Sequence, residues 1–210
     1  MKLIEPKLNK CDNYSLNDSI NENYFNNAIY TDNIDYKVKL SSITFDSCIF
    51  KGIDFNNIDL DNIELLDVIF ENCDLSNKKF DYVPIQRVKF INCKMIGISF
   101  IDSGLKDVLF DKCNSKYVNF SGSRINKVSI NECDFSDMTL IETEIKNLEF
   151  NNTNLSNSEI NNTSLKGIDV STCKLNNITI DRESIKGLII DRFQSIDLIN
   201  MLGVQIKDND

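Results

Sequence analysis

Large apolar residues recur at every fifth position along most of this 210-residue chain. From Leu40 to Ile190 there are 31 such repeat centres, and 30 of them are apolar, Ser115 being the exception. Twelve of the 13 phenylalanines occupy the same register. A period of five fits neither an α-helix nor a long β-strand, whose side chains repeat every 3.6 and every two residues. The chain therefore turns a corner every five residues, with a short extended segment between corners.

A second apolar pattern lies two residues before each repeat centre. Of the 30 such positions from Ile43 to Leu188, 22 are apolar, six are Ser or Thr, and only Lys78 and Glu183 are charged. Two residues after the centre, Asn and Gly are favoured, and both tolerate the positive φ of a corner. Four corners close a square coil of about 20 residues, and stacked coils pair like parallel strands about 4.8 Å apart. Such coils bury a continuous core that no single coil could bury alone.

The coil length can be checked within the sequence, because it predicts columns of like residues spaced by one coil. One column of cysteine and one of phenylalanine are recognisable. The first contains Cys73, Cys93, Cys113, Cys133 and Cys173, and the second contains Phe50, Phe70, Phe90, Phe110 and Phe150. A five-residue period alone does not explain these columns, so the sequence predicts four sides to each coil.

The repeat resembles that of the pentapeptide-repeat family, whose motif is a small or apolar residue, Asp or Asn, Leu or Phe, and two polar residues. Residues 73–77 (CDLSN) and 133–137 (CDFSD) match this motif well. The resemblance extends from about Ile43 to Ile190 and implies an all-β fold, a right-handed quadrilateral parallel β-helix. It indicates the fold strongly and the function weakly.

The C-terminal residues resemble the end of the quinolone-resistance (Qnr-type) members of that family. The similarity lies in residues 185–194 (IKGLIIDRFQ), followed by Leu198 and residues 201–204 (MLGV). In those proteins this end carries a helix through which two rods join, and the proteins protect DNA gyrase and topoisomerase IV from quinolones by imitating duplex DNA. The resemblance implies a homodimer and a type II topoisomerase as partner.

The residues themselves also predict a short α-helix at this end. Asp191 and Gln194 have the spacing of a capping box, and Gly203 is a typical residue to end the helix. Two apolar stripes follow, one of which would seal the last coil while the other faces a second copy; alternatively, both fold back on the coil. The predicted dimer interface consists of Phe193, Ile196, Leu198, Ile199, Met201 and Leu202.

Three segments are expected along the chain. Residues 1–37 form an irregular N-terminal cap, with or without a partial coil; residues 38–190 form the β-helix; and residues 191–210 form the C-terminal helix and tail. No apolar run approaches the length of a transmembrane helix, and the N-terminus lacks the apolar core of a signal peptide. We therefore expect a cytoplasmic protein that does not associate with a membrane.

Seven cysteines suggest a metal site or disulfides, but there is no C-x-x-C pair and no histidine. Six cysteines lie two residues before a repeat centre, so we expect buried thiols that act as apolar filler, although neighbours in a column are near enough for a disulfide. Catalysis by acid–base or nucleophilic groups most often uses histidine, and a filled rod offers no obvious pocket. We predict a protein that is not an enzyme, with no catalytic residues, metal or cofactor.

A net charge of −9 disfavours direct binding of nucleic acid, because such proteins present Lys and Arg to phosphate. Acidic residues occur without any Lys or Arg between Gly52 and Asn77. Asp54, Asp74 and Asp134 share one column, which suggests a row of carboxylates; the alternative is that outward positions simply have to be polar. The predicted partner-binding surface consists of Asp54, Asp59, Asp61, Glu64, Asp67, Glu71, Asp74 and Asp134.

Together, these features favour a non-enzymatic, dimeric DNA mimic that binds a type II topoisomerase and modulates or protects it. The competing hypothesis is a structural or protein-interaction rod with no topoisomerase role. Several Qnr-type members carry loops between repeats that matter for topoisomerase contact. Here the register never slips from Leu40 to Ile190, so any contact has to come from the rod face itself.

Overall fold

The computed structural model describes residues 1–8 and 10–201, except for the side chains of Asp197, Asn200 and Met201. Five strands of eight residues dominate the fold: β7 Glu64–Glu71, β8 Pro84–Ile91, β9 Gly104–Asp111, β10 Arg124–Asn131 and β12 Glu144–Asn151. The shorter strands are β1 Asp12–Asn13, β2 Ala28–Tyr30, β3 Val38–Ser41, β4 Thr44–Asp46, β5 Ile49–Lys51, β6 Ile58–Asp61, β11 Thr139–Ile141, β13 Glu159–Asn161 and β14 Thr179–Ile180. Helix α1 spans Leu16–Glu22, a 3₁₀ turn spans Phe55–Asn57, and helix α2 spans Gln194–Met201.

The coils stack as parallel strands with a register shift of one coil. Phe70 lies opposite Phe90, and Phe90 lies opposite Phe110. The strands β7, β8, β9, β10 and β12 follow one another in this order within the largest sheet. The predicted fold class, a right-handed quadrilateral parallel β-helix with a short C-terminal helix, is confirmed, and the rod has about 8 turns.

Each coil has four sides, which we name A to D in chain order by their repeat centres. Side A contains Leu65 and Ile85, side B contains Phe70 and Phe90, side C contains Leu75 and Met95, and side D contains Phe80 and Phe100. The long strands run across sides A and B, whereas side C is paired by single bridges such as Asp54 with Asp74. Short strands such as β11 and β13 pair on side D.

Corner residues adopt the left-handed backbone conformation that the sequence pattern predicts. Asn62 and Asn72 have φ values of 53° and 56°, and Gly97 and Gly122 have φ values of 70° and 69°. At Gly122 the close approach adds a second requirement, because a Cβ atom would clash with Oδ1 of Asp102 in the preceding coil. Asn and Gly dominate these positions because they enter this conformation at the lowest cost.

Stacked phenylalanines fill the core. The ring centroids of Phe70 and Phe90 are 5.3 Å apart with an interplanar angle of 3°, and those of Phe90 and Phe110 are 5.0 Å apart at 11°. On side D, Phe100 and Phe120 stack at 5.3 Å. These rings are at most 1% exposed, so each contributes about 1.5–3 kcal/mol of hydrophobic stabilisation relative to an exposed side chain.

Several inward Ser, Thr and Cys side chains share one structural role. Ser103 Oγ donates to Phe80 O at 2.5 Å, and Thr143 Oγ1 donates to Phe120 O at 2.9 Å. Cys93 Sγ makes the equivalent contact to Phe70 O at 3.4 Å. Thr153 donates in the same way to Ile130 O, which explains why threonine can replace cysteine in that column. All three residue types supply a small body and one donor to a carbonyl of the preceding coil.

The inward burial predicted for six cysteines is confirmed. Cys48, Cys73, Cys93, Cys113, Cys133 and Cys173 are at most 8% exposed and are free thiols. Burial raises the pKa of Cys48 to about 12, and it also raises the pKa of Cys173. A buried thiol whose pKa is raised is a poor nucleophile, so Cys48 and Cys173 act as packing groups.

The N-terminal strap, residues 1–8, lies lengthwise along the corner between sides A and B. The backbone N–H of Lys7 donates to Asp67 Oδ1 at 2.7 Å, and the N–H of Ile4 donates to Asp107 Oδ1 at 3.0 Å. The amino group of Met1 reaches Glu149. Each of these contacts is three strap residues and about two coils away from the previous one. The segment predicted as an irregular cap therefore also runs along the rod. Strand β2 already pairs with β5 in register, Ile29 opposite Ile49.

The capping box predicted for the C-terminal helix is confirmed. Asp191 Oδ1 accepts from the N–H of Gln194 at 3.1 Å, and Gln194 Oε1 accepts from the N–H of Asp191 at 2.8 Å. Gln194 Nε2 also donates to Val170 O and Cys173 O at 2.8 and 2.7 Å. One side chain thereby starts α2 and ties it to the last coils. Within the described residues, no helix is both long and apolar enough to cross a membrane.

Candidate interaction surface

The eight acidic residues expected on one partner-binding surface are distributed over all four sides of the rod. Glu64 lies on side A and Glu71 on side B, at positions adjacent to their repeat centres. Asp54, Asp74 and Asp134 lie on side C, where single β-bridges place them in one column. Lys94 and Asn114 lie between Asp74 and Asp134 in that column. Asp59 and Asp61 lie on side D, on either side of Leu60. A single continuous row of carboxylates is therefore not formed.

Four of these acids contact a lysine. The Lys Nζ to carboxylate oxygen distance is 2.8 Å for Lys39–Asp61, 3.3 Å for Lys51–Glu71, 2.8 Å for Lys94–Asp74 and 3.5 Å for Lys116–Asp134. Partial burial raises the pKa of Asp74, but hydrogen bonds from Lys94 and Ser76 outweigh it and leave the pKa below its ordinary value. Exposed pairs of this kind contribute little to stability, about 0–1 kcal/mol. Their consequence here is that they reduce the negative potential of sides B and C, and that of side D at Asp61.

Asp67 does not belong to an exposed surface. It is 4% exposed beneath the N-terminal strap, and Arg87 Nη2 donates to its Oδ2 at 2.6 Å. Burial raises the pKa of Asp67, but hydrogen bonds from Arg87 and from the backbone N–H of Lys7 outweigh it, so the pKa is lowered. The expectation that Asp67 contacts a partner was wrong because the sequence did not reveal that residues 1–8 cover this corner.

Side D is the most acidic side. Over the seven coils from Ile43 to Arg182, its outward and corner residues together with Lys78 carry seven acids and three bases, a net charge of −4. The corresponding net charges of sides A, B and C are +1, −2 and −1. The acids of side D are Asp59, Asp61, Asp81, Asp102, Glu142, Glu159 and Asp181. The N-terminal strap lies on the opposite edge of the coil, between sides A and B, and leaves side D uncovered.

One of the three bases on side D points into the rod. Lys78 occupies an inward position, where its Nζ donates to Ile58 O at 2.9 Å. Burial lowers the pKa of Lys78 despite three nearby aspartates. Its charge is therefore less available to a partner than that of Lys79 or Arg182, which lie outward.

Two exposed tyrosines flank side D. Tyr82 is 73% exposed and Tyr117 is 60% exposed. Each occupies a corner and has a φ of 62°, a conformation that is uncommon for a bulky side chain. Neither residue was predicted from the sequence, although a tyrosine at a position that favours Asn or Gly is a usable signal. Aromatic residues are enriched at the centres of protein interfaces.

The predicted dimer residues fall into two groups on the C-terminal segment. Phe193 and Ile196 are 66% and 49% exposed, and Arg192 lies over the Phe193 ring at 4.6 Å from its centroid. Leu198 is 7% exposed and packs in the core, whereas Ile199 is half-buried. The side chain of Met201 and all of Leu202 lie outside the described residues. The stripe that contains Leu198 thus seals the end of the rod, whereas Phe193 and Ile196 face away from the core.

No cluster of three or more His, Cys, Asp or Glu side chains in the described part of the chain has the arrangement of a metal site.

Comparison with known proteins agrees with this architecture. A family model described as "Pentapeptide repeat region" matches residues 63–135, and one described as "Pentapeptide repeats (8 copies)" matches residues 39–77 and 119–157. Together they cover residues 39–157, more than half of the chain. The chain belongs to the pentapeptide-repeat family. A sequence comparison with curated proteins finds no significant match.

Two solved structures illustrate the range of similar pentapeptide-repeat proteins. A trypsin-treated variant of QnrB1, a plasmid-mediated fluoroquinolone resistance protein, is 20% identical; the match covers 87% of this chain and 89% of QnrB1, with a TM-score of 0.48. HetL, a protein involved in heterocyst differentiation regulation in Nostoc sp. strain PCC 7120, is 12% identical; the match covers 79% of this chain and 81% of HetL, with a TM-score of 0.49. At these identities neither role transfers to this pentapeptide-repeat protein.

Proposed function

We propose that this protein is a non-enzymatic DNA mimic that binds a type II topoisomerase, such as DNA gyrase or topoisomerase IV, through side D. The observation that carries the proposal is the net charge of −4 on side D, where Asp59, Asp61, Asp102, Glu142 and Glu159 are exposed. A groove that binds DNA is lined with Lys and Arg, and it therefore attracts an acidic rod. This function would place the protein in the cytoplasm with its partner.

The net charge of side D can be compared with that of the duplex DNA it would imitate. Duplex DNA carries one negative charge per about 1.7 Å of axis. Seven coils rise about 34 Å at parallel-strand spacing, so side D has one net charge per about 8 Å. This is roughly a fifth of the charge density of DNA. Such a density suffices to steer the rod towards a basic groove but does not by itself give tight binding. We infer that Tyr82 and Tyr117 supply much of the binding energy, as aromatic anchors do at other interfaces.

The proposal is tested with purified gyrase supercoiling, with and without a fluoroquinolone, as the protein is titrated in. We expect the protein to inhibit supercoiling or to protect it from the drug. Tyr82→Ala combined with Tyr117→Ala should weaken the effect about tenfold or more, and Asp59→Asn combined with Asp61→Asn should weaken it less. The matched control is Glu64→Gln with Glu144→Gln, which removes the same charge from side A. An equal loss in this control, or no effect of the unchanged protein at any ratio, would contradict the proposal.

The second candidate is a protein-interaction rod without a topoisomerase role. It is favoured by the lysines that pair with Asp61, Glu71, Asp74 and Asp134, which make the acidic character discontinuous. The two candidates differ in their response to DNA. A DNA mimic competes with duplex DNA for the enzyme, so linear DNA should displace it; a rod with another partner should not bind the enzyme at all.

A further inference from the structure

The parallel ladder of the rod is interrupted at one place on sides A and B. Within the fully described stretch 144–172, no backbone hydrogen bond joins β12 to residues 164–171 in the next coil. Sides C and D of the same two coils stay paired, Asn154 with Lys174 and Glu159 with Thr179. The backbone bonds resume one coil further, where Leu165 N donates to Ser184 O at 3.1 Å. The coils are thus wedged apart on two sides and closed on the other two.

The interruption has local consequences on both edges. Ile145 is half-buried, whereas every other repeat centre from Leu40 to Leu175 is buried. Strand β12 pairs with β10 irregularly, because Asn126 lies opposite Asn147 and the next pair is Val128 with Leu148. The N–H of Asn152 donates to Thr172 Oγ1 at 3.1 Å, in a place where most corner amides donate to a backbone carbonyl of the next coil. The irregular pairing and the open edge occur on the same strand.

The wedge holds a cavity of about 440 Å³. Its walls come from both coils and include Ile145, Leu148, Phe150 and Ile168, and Met1 of the strap lies at its mouth. Strand β12 and the segment 164–171, which contains a turn and a single bridge residue, therefore face each other across a space, each with backbone N–H and C=O groups that lack a partner on that side. Such edges are templates for another strand.

We propose that this cleft binds an extended peptide, which adds as one parallel strand between β12 and residues 164–171. Recognition by strand addition takes its affinity from backbone hydrogen bonds and its specificity from alternate side chains. The inward side chains of the peptide have to be small, because the wedge closes towards sides C and D. The site lies on sides A and B, so this proposal is independent of the proposed function of side D.

The charges at the mouth specify the peptide further. Lys146 and Lys166 occupy the same outward column on side A. Glu149 and Asp169 occupy the same outward column on side B, where the amino group of Met1 already contacts Glu149, so a basic residue of the peptide would pair with Asp169 and compete with Met1 for Glu149. A parallel strand between the two coils would place one residue between the two lysines and, three positions later, another residue between the two carboxylates. The complementary peptide has an acidic residue followed three positions later by a basic one. A peptide with the sequence Val-Glu-Asn-Ala-Lys-Val fits, with Asn at the corner.

The test uses the full chain and this peptide with a fluorescent label, followed by anisotropy. We expect saturable binding and slower amide hydrogen exchange in residues 145–150 and 165–170. Replacing the central Ala of the peptide with Pro removes a ladder N–H and should abolish both effects. Equal binding of the Pro peptide would overturn the proposal. Slow exchange of these amides in the free protein would also overturn it, because the cleft would then be closed or filled by the chain itself.

A charge exchange tests the orientation of the peptide without threatening the fold. Lys146→Glu with Lys166→Glu changes two exposed side chains and should weaken binding of the peptide about tenfold or more. The same variant should bind better to a peptide with Lys in place of the Glu, Val-Lys-Asn-Ala-Lys-Val. If the variant instead binds both peptides as the unchanged protein does, the peptide does not lie between the two lysines and the proposal fails.

Discussion

At the scale of single residues, Tyr82 and Tyr117 lower the stability of the fold. Both adopt the left-handed conformation with a φ of 62°, which costs a side chain with a Cβ about 1–2 kcal/mol. Neither ring recovers this cost by burial, since both are more than half exposed. The same conformation occurs at other corners, such as Lys112 and Glu132, so what distinguishes the two tyrosines is an exposed aromatic ring at a corner. The two tyrosines are therefore the strongest residue-level support for side D as a contact surface.

We predict that Tyr82→Asn and Tyr117→Asn each raise the free energy of unfolding by about 1 kcal/mol, because Asn tolerates the left-handed conformation. The same changes should weaken binding to the partner of side D. Equilibrium unfolding in urea measures the stability. The reverse change Asn72→Tyr, at a corner with a φ of 56°, is the control and should lower stability by a similar amount. A loss of stability in both asparagine variants would contradict the strain argument.

The buried Asp67–Arg87 pair predicts a dependence of stability on pH. The pKa of Asp67 is lowered in the folded protein, so the charged form stabilises the fold above the unfolded pKa of about 3.9. This contribution is lost as pH falls through the lower folded pKa. Asp67→Asn should therefore cost about 2 kcal/mol at pH 7, and the difference from the unchanged protein should shrink below about pH 4. Urea unfolding at several pH values measures it, with Asp59→Asn on side D as an exposed control that should show little difference.

At the scale of elements, the sequence predicts the regular parts and not the exceptions. The centres and inward positions define the coil, because only a four-sided turn buries both columns. The capping box of α2 is equally local, since it depends on Asp191 and Gln194 alone. The open edge of β12 could not be predicted, because the five-residue register continues through Ile145 and Phe150 without change. The strap was missed because its contacts, such as Ile4 with Asp107, join residues about a hundred positions apart.

Gln194 is the element-level test of how α2 is attached. Gln194→Ala removes the reciprocal bond to Asp191 and both bonds to the carbonyls of Val170 and Cys173. We expect a local loss of about 2 kcal/mol, seen as faster amide hydrogen exchange throughout α2 while β8 and β9 stay protected. Ser195→Ala is the control, since within the described part of the chain the hydrogen bond of Ser195 Oγ is to Arg192 O of the same segment. Unchanged exchange in α2 would show that Leu198 alone holds the helix.

At the scale of the whole molecule, the two ends of the rod differ. The N-terminal end is covered by α1, whose Leu16 is buried and whose Ser19 hydroxyl bonds to the hydroxyl of Tyr30 at 2.8 Å. The C-terminal end is sealed by Leu198, but Phe193 and Ile196 face outward. Periodicity of the sequence predicted both apolar stripes of this end. It could not decide whether the second stripe folds back, because that depends on the orientation of α2 on the last coil.

The outward stripe leads to a prediction about assembly. We expect a homodimer with a mass near twice the 24.1 kDa of one chain, because an exposed Phe immediately before a terminal helix, close to an exposed Ile within it, is typical of an interface with a second copy. Phe193→Glu with Ile196→Glu should give monomers in sedimentation equilibrium, since two carboxylates would face each other across a two-fold axis. Tyr24→Glu, at the other end of the rod and also exposed, is the matched control and should remain dimeric. A monomeric unchanged protein at all concentrations would contradict the dimer. A topoisomerase effect that persists in the double variant would then show that a single rod is sufficient for binding.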